Sequence, residues 1–146
     1  MQTHTGRSIA GGFVGTLVMT GMMYMVAPMM GVRMDIAQML GSMLGNNWTA
    51  GMMMHFVNGT IIFPLIYAHV LYQWLPGTPT VKGATLGVAL WLLAQVMVMP
   101  MMGGGFFSMA MVGMMAAMGS LIGHVLYGST LGAIAGAPEV TRAATA

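Results

Sequence analysis

Three histidines, His55, His69 and His124, stand inside long apolar stretches of a chain of 146 residues. An ionisable ring in such surroundings is where chemistry would sit, because burying it carries a cost that packing alone does not require. His55 and His69 are 14 residues apart, so one helix would carry both on the same face, about 21 Å apart along its axis. That spacing suits two haems stacked along one helix, with His69 and His124 as a candidate axial pair for haem b. The position 14 residues before His124 is Ala110, so a second haem would need Met109 or Met111. The alternative is a set of neutral imidazoles hydrogen-bonded to neighbouring helices, with Tyr72 or Tyr127 nearby.

Methionine supplies a second chemistry. There are 22 in the chain, and thioethers are soft donors suited to Cu(I). Met25 and Met29 form one pair four residues apart, Met97 and Met101 another, and His55 follows Met52–Met54. These five residues, Met25, Met29, Met97, Met101 and His55, make a candidate Cu(I) site. The competing role is packing, since methionine fills irregular gaps. The sequence favours no cofactor at all, with haem b or Cu(I) as alternatives.

Other chemistries lack their residues. The chain has no cysteine, which removes disulfides and thiolate sites. Its only carboxylates are Asp35 and Glu139, so no buried acid is available to relay protons. No Ser/His/Asp arrangement, P-loop or HExxH helix is present, and the expectation is a protein without enzymatic activity. A net charge of +2 is too weak and scattered for nucleic acid. The expected partners are lipid and other integral membrane subunits.

The elements that would position these residues are membrane spans. Charged residues make up 4 % of the chain and mean hydropathy is +0.83, against about a quarter charged in soluble domains. A hydrocarbon core of about 30 Å needs roughly 20 helical residues. Four segments meet that need: 8–30, 48–74, 81–102 and 108–135. Arg7, Lys82 and Arg142 flank one side and only Arg33 the other, so positive-inside bias puts both termini in the cytoplasm. Trp48, Phe106 and Phe107 would mark the outer interface, with Tyr72 and Trp74 at the inner one.

The first and third spans repeat each other. Gly11/Gly83, Gly15/Gly87, Met25/Met97, Pro28/Pro100, Met29/Met101 and Gly31/Gly103 are identical pairs 72 residues apart. His69–Tyr72 matches His124–Tyr127 at a separation of 55. The chain is therefore a single four-helix transmembrane domain over 1–146. Repeat 1 covers 8–74 and repeat 2 covers 81–135, duplicated in parallel about an axis along the membrane normal. Repeat 1 holds an inserted amphipathic helix at 32–45, lying on the outer interface with Val32, Ile36, Met39, Leu40, Met43 and Leu44 as its apolar face. Gly11, Gly15, Gly83, Gly87, Gly119 and Gly123 are candidate helix-packing positions, since small residues four apart let helix backbones approach.

The strings MPMMGGGFFS (99–108), GHVLYGSTLG (123–132), MDIAQMLGSMLG (34–45) and HFVNG (55–59) together resemble a family of small four-helix bacterial inner-membrane proteins of unknown function. The resemblance covers most of the chain. It implies the four-span fold and a bacterial inner-membrane location, and supplies no activity. The reading that fits best is a non-catalytic accessory subunit of a larger, respiratory-type membrane complex. A small haem- or Cu(I)-binding protein is the alternative.

Overall fold

The chain is a multi-pass membrane protein whose described elements are all helical. The computed structural model describes residues 4–111 and 113–137, so Glu139 and Arg142 lie outside the described residues. Four long apolar helices run over Thr5–Met29 (α1), Trp48–Leu71 (α3), Pro79–Met101 (α4) and Met114–Ala135 (α5). A short helix, α2 (Ile36–Ser42), stands between the first two. The fourth span begins at Met114 rather than near 108. Gly105 and Gly113 take positive φ, as do Phe107 and Ser108, and these turns separate α5 from the end of α4.

Glycine decides which helices touch. A Cβ on Gly11 would lie 2.9 Å from the Leu131 carbonyl oxygen, and one on Gly15 2.8 Å from that of Tyr127. On the other side of α5, a Cβ on Gly83 or Gly87 would overlap the carbonyl oxygens of Gly128 and His124. These four glycines let backbones meet, and both pairs meet α5. Gly119 does not take part, because its Cβ position faces open space, and Gly123 meets only the Met19 side chain at 3.4 Å. Gly128 and Gly132 complete the contact with α4.

The spans thus line up as α3, α1, α5, α4, each packed closely on the next. A two-fold that exchanges the repeats would map the tight α1–α5 contact onto an α3–α4 contact. Among the described residues, no comparable backbone approach joins those two helices. The duplication therefore survives within the helices, while their packing departs from it.

The duplication is clearest in the backbone. A π turn covers Met22–Val26 in α1 and Ala94–Val98 in α4, at equivalent positions. A third covers Asn58–Ile62 in α3. Each closes on the residue just before a proline: the N–H groups of Ala27, Phe63 and Met99 donate five residues back, to Met22, Asn58 and Ala94. Pro28, Pro64 and Pro100 follow. Proline has no N–H and crowds the preceding turn, and widening that turn relieves the clash. Pro64 offers no donor to the Gly59 carbonyl. The Tyr127 hydroxyl donates there instead, at 2.8 Å and buried.

α2 is shorter than the expected 32–45 and presents a different face. The Asp35 carboxylate caps it by accepting from the Gln38 amide, and left-handed Gly45 and Asn46 end the segment. Ala37 and Gly41 are buried against α3, where a Cβ on Gly51 would overlap the Ala37 carbonyl. Met43 and Leu44 are exposed. Small residues therefore make the contact with α3, and Met34, Ile36, Met39 and Leu40 turn toward the bundle interior. Tyr72 is buried within the bundle, with the Lys82 ammonium 4.1 Å above its ring.

These contacts predict that Gly83→Ala or Gly128→Ala destabilises the bundle by about 1–3 kcal/mol, the usual cost of overpacking. Gly119→Ala should leave stability unchanged. Unfolding by denaturant in detergent, followed by helicity, measures the difference.

Candidate functional site

The open side of the bundle holds a chamber of about 160 Å³. α3 supplies His55, Asn58 and Phe63, α4 supplies Leu90, Gln95 and Met99, and α5 supplies Ser120, His124 and Tyr127. Thr16 and Met19 reach it from α1, and Met34 and Met39 close it from the α2 segment. With Met102, five thioethers and two imidazoles line one space, and no charged side chain does.

Hydrogen bonding fixes both rings. The Thr20 hydroxyl donates to the Thr16 carbonyl at 2.7 Å, so its oxygen accepts from His55 Nε2–H at 3.0 Å. The lone pair of His55 is then on Nδ1. His124 Nδ1 lies 2.8 Å from the Ser120 carbonyl oxygen, which can only accept, so the lone pair of His124 is on Nε2. An imidazole tied by one N–H to a helix carbonyl or hydroxyl, with its other nitrogen basic, is the usual state of a histidine metal ligand.

A polar chain supports this arrangement. The Ser108 hydroxyl donates to Gln95 Oε1 at 2.9 Å, with both residues fully buried. The Gln95 amide reaches Ser120 Oγ at 3.5 Å. Ser108 stands in left-handed backbone, so the turn before α5 is shaped to hold the Gln95 side chain at the chamber wall.

Two expected constellations are not assembled. His69 lies against Thr5 Oγ1 at 3.0 Å, whereas His124 is one residue from Gly123, which faces Met19. Thr5 and Met19 are 14 residues apart on α1, about 21 Å along its axis, so His69 and His124 are not an axial pair. Met25, Met29, Met97 and Met101 are 72 %, 86 %, 54 % and 71 % exposed. They face the surroundings of the bundle, and of the five expected copper ligands only His55 is in the chamber. The partner of His55 is His124, and the chamber thioethers come from Met19, Met34, Met39, Met99 and Met102. One sequence signal bears on this asymmetry. Met99 of α4 has Ala27 as its duplicate in α1, so the two repeats cannot line a space with the same donors.

Over the chamber, α2 is held by one carboxylate. Asp35 accepts from the Tyr24 hydroxyl at 2.5 Å and from the Trp48 indole at 3.0 Å, besides capping α2. Partial burial disfavours the charge on Asp35, but the hydrogen bonds from Tyr24, the Gln38 amide and Trp48 outweigh it and hold the carboxyl below its usual range. A depressed carboxyl stabilises the fold above the ordinary carboxylate range, and that contribution is lost as pH falls through the folded value. Trp48 fluorescence, in a Trp74→Phe/Trp91→Phe background, should therefore change only below about pH 4. Asp35→Asn should abolish that transition.

The profile of the Family of unknown function (DUF6789) matches residues 2–144, and the chain belongs to that family. No curated protein and no solved structure matches it.

Proposed function

We propose that this DUF6789 member is a non-enzymatic membrane protein that binds Cu(I) in the chamber between His55 and His124. The observation that carries the reading is the pairing of two imidazoles, each with one nitrogen tied to its own bundle and the other basic, among thioethers and without a carboxylate. A neutral, soft donor set suits a monovalent d¹⁰ ion. A divalent ion would bring charge that nothing in the lining offsets. Among the described residues no three His, Asp or Glu side chains converge, so a harder metal has no ligand set. The size agrees: a cavity of about 150 Å³ takes a benzene-sized group, far short of a porphyrin.

We further infer a bacterial inner membrane as the location, with both termini cytoplasmic, because Arg7 and Lys82 share one end while Arg33 stands at the other. A second role is compatible with the first. The exposed thioethers Met25, Met29, Met97 and Met101 offer an adaptable surface for heterologous helices, so the protein would serve as an accessory subunit docked on a larger, respiratory-type complex. Gly11, Gly15, Gly83 and Gly87 are already consumed inside the bundle and do not serve this docking.

The test is anaerobic competition for Cu(I) between the detergent-purified protein and a chromogenic chelator. His55→Leu and His124→Leu should each weaken binding at least about tenfold, while Met25→Leu/Met29→Leu should not change it. Failure of the wild-type chain to hold Cu(I), or indifference to both histidine changes, would overturn the reading.

A further inference from the structure

A second cavity of about 50 Å³ adjoins the chamber, lined by Met19, Met22, Met23, Met34, Ser120 and His124 among others. Met19, Met34, Ser120 and His124 line both spaces. The residues particular to the smaller one include Met22, Met23 and Ala27.

Those three positions are the duplicates of Ala94, Gln95 and Met99, which line the chamber. In each repeat the π turn before the proline begins at the first of these positions. An extra residue in the turn rotates the downstream side chains by about 100° around the helix. The same backbone device, used twice, thus turns the same three positions into a cavity, once in α4 and once in α1. Where α4 presents Ala94 and the amide of Gln95, α1 presents two thioethers.

From this geometry we infer that the smaller cavity is a second soft-ion site, formed by the thioethers of Met19, Met22, Met23 and Met34, while the Nε2 lone pair of His124 stays with the chamber ion, and that a Cu(I) ion passes between the two by exchanging ligands. The inference rests on the Cu(I) reading of the chamber. The small volume selects the class of occupant: a water-sized species needs about 10–15 Å³, whereas an organic ring needs about 150 Å³. The shared thioethers of Met19 and Met34, each with two lone pairs, allow a new donor to bind before an old one leaves. The ion stays Cu(I) throughout, so no electron or proton has to be supplied.

The experiment counts ions per full-length chain after equilibration with excess Ag(I), a redox-inert stand-in for Cu(I), buffered by a fixed competitor. The wild-type chain should hold two. Met22→Leu/Met23→Leu, a volume-conserving change, should hold one, and His55→Leu should also hold one, losing the chamber ion instead. His124→Leu should likewise hold one, because the Nε2 lone pair it removes belongs to the chamber ion. In the wild-type protein carrying ¹³C-methyl methionine, the Met22 and Met23 signals should move on Ag(I) addition, a readout that needs no variant. A count that Met22→Leu/Met23→Leu leaves unchanged, with those two signals unmoved, overturns the second site while the chamber reading stands on the loss in His55→Leu. A wild-type count of zero overturns both.

Discussion

The architecture depends on α5 being approached at backbone distance from two sides. In a membrane, lipid tails are as apolar as any side chain, so helices associate through close packing rather than through release of water. Gly11 and Gly15 of α1 approach one side of α5, and Gly83 and Gly87 of α4 approach the other. Gly128 and Gly132 remove the last side-chain atoms from the α4 contact. The closure that a two-fold would place between α3 and α4 is missing among the described residues, and the chamber is the space that results.

Proline then decides what enters that space. Each of Pro28, Pro64 and Pro100 is preceded by a widened turn, which re-aims the residues around it and leaves carbonyls in need of donors. The bond from the Tyr127 hydroxyl to the Gly59 carbonyl meets one such need. It also ties α5 to α3 across the bundle, on the side where no glycine contact does so. Gly12 lets Pro64 and Gly59 come close to α1. The same proline that perturbs α3 therefore helps to place it.

This explains how much could be inferred from residues alone. Span number, the duplication and four of the six packing glycines are legible, because length, hydropathy and small-residue spacing act locally and need no knowledge of partners. The contribution of His55 and His124 to possible chemistry is legible too, since ionisable groups stand out in apolar surroundings. Which of them meet is not. Fixed helical periodicity puts Met25 with Met29, and Met97 with Met101, on common faces, and all four are exposed. Periodicity cannot say whether such a face turns inward, and the π turns at Met22–Val26 and Ala94–Val98 alter the phase at that point of the helix. The α2 segment misleads for a related reason. Its large apolar residues suggest a face for lipid, yet Ala37 and Gly41 make the close contact because α3 offers Gly51 there.

The interior histidines gain meaning from what surrounds their second nitrogen. A buried imidazole with both nitrogens engaged would be a tie between helices and nothing more. In His55 and His124 one nitrogen is committed to Thr20 or to the Ser120 carbonyl, and that commitment fixes the tautomer of the other. The acceptors that hold the rings belong to α1 and α5, which the glycine contacts lock together. On the Cu(I) reading proposed above, ligand geometry would be set by the rigid part of the bundle. Met34 and Met39 come from the α2 segment, which hangs on Asp35 at an exposed end. Two rigid imidazoles and adjustable thioethers are the combination that an exchangeable soft ion requires, because the fixed donors define the position and the flexible ones can follow the ion as it moves.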